Sequence, residues 1–282
     1  EVDALNCKVG INAYGASNVV ISNNSVHNAD HTWDAIGIMA WDWTSASTVD
    51  NVIIENNEVY DTGRMGIFCM DYDTTNSEYD LTTAHVISGN TVYNTWTNPM
   101  GDAGGAIQIN VGGSCEISDN EIYNTQNGNR GIYMFGSGSG NTIAGNDIHD
   151  NPIGMEFFID GQGMSPIDWE GDTATSPDVT QNNIYDNTNY GAMSSAATGY
   201  TAMKLDAECN YWGDPSGPYH SSNPLAIGDT VSNKVDYNPW LTLSAPSTAC
   251  NGGVCYNTVY VDDNYDSNTL GWNVDHFASI QD

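Results

Sequence analysis

The chain is expected to fold as an all-β, right-handed parallel β-helix, a solenoid with inserted loops. One five-residue motif recurs along it, a Gly and a short apolar strand follow each copy, and no stretch carries a 3.6-residue apolar period. The motif is Asn-x-(Val/Ile)-(Tyr/His)-(Asn/Asp), and it begins at Asn24, Asn57, Asn90, Asn120, Asn146 and Asn182. Successive copies lie 33, 33, 30, 26 and 36 residues apart.

Each unit reads as short strands joined by turns. Three residues before the motif stands Ile21, Ile54, Ile87, Ile117 or Ile143, and Val179 in the sixth copy. Side chains alternate along a strand, so Val19 and Ile21 share one face and the Asn lies on a bend. Downstream come Gly37-Ile38-Met39, Gly66-Ile67-Phe68, Gly105-Ala106-Ile107, Gly131-Ile132-Tyr133, Gly154-Met155-Glu156 and Gly191-Ala192-Met193. Gly10-Ile11-Asn12 looks like the end of an earlier copy. A unit of two or three strands cannot bury its apolar face alone, whereas stacked units pair each strand with its equivalent about 4.8 Å away. The repeated Asn suits a turn with left-handed backbone and an amide that bonds to the next coil, a structural ladder of Asn24, Asn57, Asn90, Asn120, Asn146 and Asn182. By the same register Tyr60, Tyr93, Tyr123 and Tyr185 stack, with His27 and His149 standing in for Tyr.

The spacing stretches where loops are inserted, at 71–83, 95–104 and 160–177, all polar and rich in Asp, Gly or Trp. Residues 1–243 are expected to form the β-helix, 244–258 a linker, and 259–282 the truncated start of a second β-helix unit or a docking tail. The first residues carry no basic region, no apolar region and no Met, as expected of a mature product or an internal fragment. Among six Cys, Cys250 and Cys255, flanking Asn-Gly-Gly-Val, are the expected disulfide, and Cys69 and Cys115 are expected to be buried thiols.

Composition narrows function. The chain has 36 Asp plus Glu against 5 Lys plus Arg, a formal charge of −31 over 282 residues. Five scattered cations make no phosphate-binding patch, which argues against nucleic acid, and an anionic membrane surface would repel the chain. No apolar run approaches the roughly 18 residues that span a bilayer. Hydrophobic residues at 39% nevertheless supply a core.

On its repeats from Lys8 to Tyr190, the sequence resembles the pectate-lyase-like right-handed β-helix superfamily, and within it the repeat proteins of bacterial and archaeal surfaces. Asn210-Tyr211-Trp212-Gly213-Asp214-Pro215-Ser216-Gly217-Pro218, followed by Val235 to Leu241, is similar to the closing segment of such helices. The stretches 259–265 and 271–282 resemble the opening of another such unit, which implies a tandem surface protein rather than a lone enzyme.

Lyases of this fold use Asp-bound calcium with an Arg or Lys base, and Arg64 and Arg130 occupy comparable places two units apart. Surface cations tied to local carboxylates are the competing reading. Trp33, Trp41, Trp43 and Tyr72, interleaved with Asp34, Asp42, Asp71 and Asp73, would suit a polysaccharide groove or a hydrolase carboxylate pair. Calcium, which takes several oxygen ligands, has candidates in Asp71, Asp73, Glu78 and Asp80, in Asp160, Asp168, Glu170 and Asp172, and in Asp262, Asn264 and Asp266. None has EF-hand spacing, and a solvated acidic loop competes at each. The expectation is a non-catalytic extracellular module of a surface-layer, sheath, filament or adhesin protein, self-associating head-to-tail and binding calcium. The alternative is a carbohydrate-active lyase, hydrolase or epimerase.

Overall fold

The computed structural model describes residues 1–31, 35–42, 49–73, 78–79, 84–98, 104–110, 115–135, 141–159, 178–198, 202, 204–251, 255, 260–261 and 276–277. Their regular elements are strands, stacked in three long parallel sheets as a right-handed parallel β-helix. One coil runs through Val52–Glu55, Glu58–Tyr60 and Ile67–Asp73, and the next through His85–Ser88, Thr91–Tyr93 and Gly105–Asn110. These belong in turn to the first, second and third sheets. Strands of three or four residues do not persist alone, so each depends on the coil above and below.

Equivalent residues pair without slippage. Ile21, Ile54, Ile87, Ile117, Ile143 and Val179 are successive partners in the first sheet. Val26, Val59, Val92, Ile122, Ile148 and Ile184 are partners in the second, and Ile38, Ile67, Ile107, Ile132, Met155 and Ala192 in the third. All point inward into one core. Burying each such Ile stabilises by about 1.5–3 kcal/mol relative to exposure. Where the third strand begins, the chain grazes this column: a Cβ on Gly66 would lie 2.4 Å from Val92 Cγ1, which is why Gly opens these strands. Cys69 and Cys115 are buried in the same core, and burial holds the Cys69 thiol well above its usual range.

The Asn ladder runs the length of the column. The Oδ1 of Asn90 accepts the Asn57 backbone N–H at 2.9 Å and its Nδ2 at 3.0 Å. Asn120, Asn146 and Asn182 repeat this toward the coil before them, and Asn24 opens the series by donating to Asn57. The ladder continues to a seventh rung, because Asn182 donates N–H and Nδ2 to Asn210 Oδ1 at 2.9 and 2.8 Å. Asn210 thus belongs to the repeat and not only to a closing segment.

The left-handed backbone lies one residue earlier than expected. Asn23, Asn56, Gly89, Asp119, Gly145, Gln181 and Cys209 have φ between +54° and +71°, while the ladder Asn residues do not. A corner must turn before the amide can point inward, so the preceding residue takes the strained conformation and tolerates Asn, Asp or Gly most cheaply.

A shorter rank stands at the other end of the second sheet. Thr125 N–H donates to Asn151 Oδ1, and Asn151 N–H to Asn187 Oδ1, both at 3.1 Å. Asn187 donates N–H and Nδ2 to Asp229 Oδ2 at 3.1 and 2.7 Å. A terminal rung only has to accept, which is the role a carboxyl fills.

The disulfide differs from expectation. Cys255 pairs with Cys209, 46 residues away and 5.4 Å between Cα atoms, and not with Cys250. Leu241 bridges Cys250, and Thr242 donates to Ala249, so the chain doubles back and brings Cys255 to the Cys209 corner. Cys250 stays beside the bond, its Sγ accepting the Cys255 N–H at 3.1 Å. Closeness in sequence was the wrong guide, since the fold-back sets which sulfurs meet.

The stretch expected as a linker is laid along the column. Ala245 N–H donates to Asn183 Oδ1 at 2.6 Å, and Ser247 N–H to Gln181 Oε1 at 2.9 Å. Of 259–282, Tyr260–Val261 and His276–Phe277 pair as parallel strands, and the remainder lies outside the described residues.

Asn120→Ala should lower stability by about 1–3 kcal/mol in urea melts, because Asn90 loses its acceptor and Ile87 its donor. A neutral result would mean that the ladder does not hold the coils in register.

Two groups shifted by burial give opposite pH dependences. Burial lowers His85 from 6.5 to about 4, against an opposing pull from Asp50. Between those values the unfolded chain takes a proton that the native one refuses, so stability falls on acidification. Burial raises Asp229 from 3.8 to about 6, partly offset by its bonds from Asn187. There the native chain holds the extra proton, so stability rises on acidification. Asp229→Asn should therefore lose about 2–3 kcal/mol relative to wild type between pH 6 and pH 4, and His85→Phe should gain over the same range. Urea melts at both pH values measure this, and curves parallel to wild type would contradict it.

Candidate functional site

The outer face of the third sheet is the first place to look, since the inserted loops leave from its strands. Its outward positions pair in register as Met39, Phe68, Gln108, Tyr133, Glu156 and Met193. The first five are buried although they point away from the core, with Glu156 only 2% exposed. At one end they form a second apolar cluster of Ile36, Met39, Met65, Phe68, Met70 and Trp96. At the other the face turns polar. Gln108 Nε2 donates to Asn110 Oδ1 at 2.8 Å.

Glu156 is held by both oxygens: Arg130 Nε donates to one and Ser195 Oγ to the other. The Arg130 guanidinium also lies 5.3 Å from the Tyr133 ring centre. A buried carboxylate needs such partners, and here they bind three successive coils together. Arg64, in the comparable place two units earlier, lies 5.1 Å over the Trp96 ring.

The expected carbohydrate and calcium residues are placed only in part. Asp71, Tyr72 and Asp73 end the strand Ile67–Asp73, which turns back to pair antiparallel with Glu78–Tyr79. Asp73 stands opposite Glu78, and Tyr72 opposite Tyr79. Trp41 donates Nε1–H to Asn12 Oδ1 at 3.0 Å and meets Tyr14 edge-on at 5.0 Å. Trp33, Trp43, Asp80, Asp160, Asp168, Glu170, Asp172, Asp262, Asn264 and Asp266 lie outside the described residues. Among the described residues no three His, Cys, Asp or Glu side chains come together as a metal site.

A site that the motif search missed lies at the far end of the second sheet. The rings of His27, Tyr60, Tyr93, Tyr123, His149 and Tyr185 stack one per coil at 4.9–5.2 Å, tilted by 18° or less. Asn183 bridges Tyr211, so the next coil places Trp212 above Ile184 and Gly213 above Tyr185. Asn210-Tyr211-Trp212-Gly213-Asp214 is therefore a seventh, altered copy of the motif, with Trp at the inward Val/Ile position and Gly where a ring belongs. Trp212 and Gly213 together conceal this copy in the sequence, and Asn210 at the ladder position is what marks it.

Beside Gly213 opens a cavity of about 450 Å³, lined by Asp147, Asn183, Tyr185, Asp186, Tyr211 and Ser244. Asp147 Oδ1 accepts from Asn183 Nδ2 at 2.6 Å, and Tyr211 Oη donates to the Gly213 carbonyl at 2.8 Å. Burial, then the nearby carboxylates with Asp147 first, pushes the Tyr185 phenol up, so it stays a neutral ring. No protein-family model matches the chain, and no curated protein is recognisably similar to it.

Proposed function

We propose that the chain is a non-catalytic, extracellular structural module of a surface-layer, sheath, filament or adhesin protein, associating head-to-tail and binding calcium. The observation that carries this reading is the unbroken line of Asn amides from Asn24 to Asn210. Each rung fixes one coil on the next, and a column locked in this way resists bending and slippage, which is what a load-bearing module needs.

The charge of −31 fits the same setting, because crowded carboxylates repel one another unless cations are taken up. Asp73 and Glu78 are opposite positions of one hairpin, and carboxylate oxygens are what a hard cation takes as ligands. For association, Leu225 and Ile227 stand 89% and 78% exposed, apolar side chains suited to contact with another protein.

A second reading, a carbohydrate-active enzyme, is favoured by Arg130, Glu156, Gln108 and Tyr133 sharing one sheet face. It is weakened by the double engagement of Glu156. Turnover of uronate or neutral polysaccharides that is lost in Glu156→Gln, with the fold intact, would establish that reading and overturn the structural one.

Chelation at low salt should lower the melting temperature and added calcium restore it, since a ligand of the native state adds about 2.7 kcal/mol at a hundred times its Kd. A melting temperature indifferent to both would remove calcium from the reading. In light scattering the chain should form species larger than a monomer, and Leu225→Ser with Ile227→Ser should return it to monomer. Monomers at every concentration, in the chain and in its variant, would remove self-association.

A further inference from the structure

We propose that the slot above Tyr185 binds one ring of a neutral saccharide. The stack of rings makes the slot. In the interior of the stack each ring has a neighbour on both faces, so only its edge is presented outward. Tyr185 is stacked on His149 on one side, 4.9 Å between ring centres, and has Gly213 on the other. Gly213 has φ +88°, and a Cβ there would come within 2.9 Å of Tyr185 Cβ. The position thus excludes a side chain twice over, by backbone conformation and by contact, and the seventh ring is absent by construction. One aromatic face is left beside a cavity of about 450 Å³, within the range of ordinary small-ligand sites.

The walls define what fits over that face. Asp147 and Asn183 are bonded to each other, and Asn183 Oδ1 is fixed by the Ala245 N–H at 2.6 Å. Stretch 244–247 is thereby held against the column and brings Ser244 to the rim. Asp186 lines the same cavity and is exposed. A ligand that satisfies this set must lay a flat apolar face on Tyr185 and turn O–H donors toward carboxylates at its edge. A pyranose ring does both, its C–H face meeting the ring and its hydroxyls donating charge-assisted bonds to Asp186 and Asp147.

Charge chooses among sugars. A uronate would bring its carboxylate against Asp147 and Asp186 on a chain of net charge −31, so the site selects neutral rings. A quaternary ammonium ion would also be attracted, but it is best held by a cage of several ring faces, and here one face is offered with hydrogen-bonding groups around it. The inference stands apart from the assembly reading, because it needs neither self-association nor calcium.

The test uses the whole chain on an array of glycans ending in neutral hexoses, pentoses and N-acetylhexosamines, with uronate-ended glycans as controls. The best neutral glycan is then titrated by calorimetry. Binding is expected to neutral glycans over uronates. Tyr185→Leu and Asp186→Asn should each weaken it roughly five- to tenfold, the range for losing one aromatic or charged contact. Asp186 is exposed, so that variant keeps the fold, and melting temperatures of both confirm it. No neutral glycan bound, binding that survives both substitutions, or tetramethylammonium bound at the slot in preference to glycan would each overturn the proposal.

Discussion

The structure depends on one constraint: an amide buried in the column must satisfy an oxygen and two N–H hydrogens without water. Asn120 does so by accepting from Asn90, and by donating to Ile87 on one side and Asn146 on the other. That arrangement closes only when consecutive coils sit in one register. A slip by one residue would leave each amide unpaired in an apolar interior, at a cost of about 1–3 kcal/mol per group, and would turn every inward Ile outward. The ladder and the apolar columns therefore enforce the same register by independent means.

With register locked, variation in coil length has to go elsewhere. Ladder spacings range from 26 to 36 residues, yet first-sheet partners such as Ile117 and Ile143 still meet Cα to Cα. The extra residues enter the sequence between strands, beside the third sheet, whose outer face is buried and carries its own apolar cluster and the Arg130–Glu156 pair. A second core on the outside of a solenoid sheet follows from a rigid inside and a freely variable outside.

Legibility in the sequence followed the same division. The ladder Asn, the inward Ile and Val, and the stacked Tyr with His27 and His149 were all readable, because register makes like residues recur at like positions. Features set by where the chain goes between coils were not. The left-handed corner falls on Asn23 and Asn56 rather than on the ladder, and although Gly89 and Gly145 mark that preceding position, its residue type varies while the ladder Asn does not. Cys209 met Cys255 because residues 241–250 fold back, which spacing does not encode. The Glu156 clamp joins residues 26 and 39 positions apart through a sheet face that period-two patterning marks as solvent.

The seventh motif copy shows how a repeat can end without losing its register. Asn210 keeps the ladder and Trp212 fills the core, so the column remains paired through this coil, and Val235–Asp236 pairs onto it in turn. The inward position changes from Val or Ile to Trp212, and the outward one from a ring to Gly213, whose φ of +88° and closeness to Tyr185 leave no room for a side chain. Chemistry on such a column is therefore most readily altered at the terminus of a surface ladder. In the interior of the stack each ring is covered on both faces by its neighbours, and past Tyr185 the next coil brings Gly213 in place of a ring. The lattice that hides its side chains thus also determines where one of them becomes available.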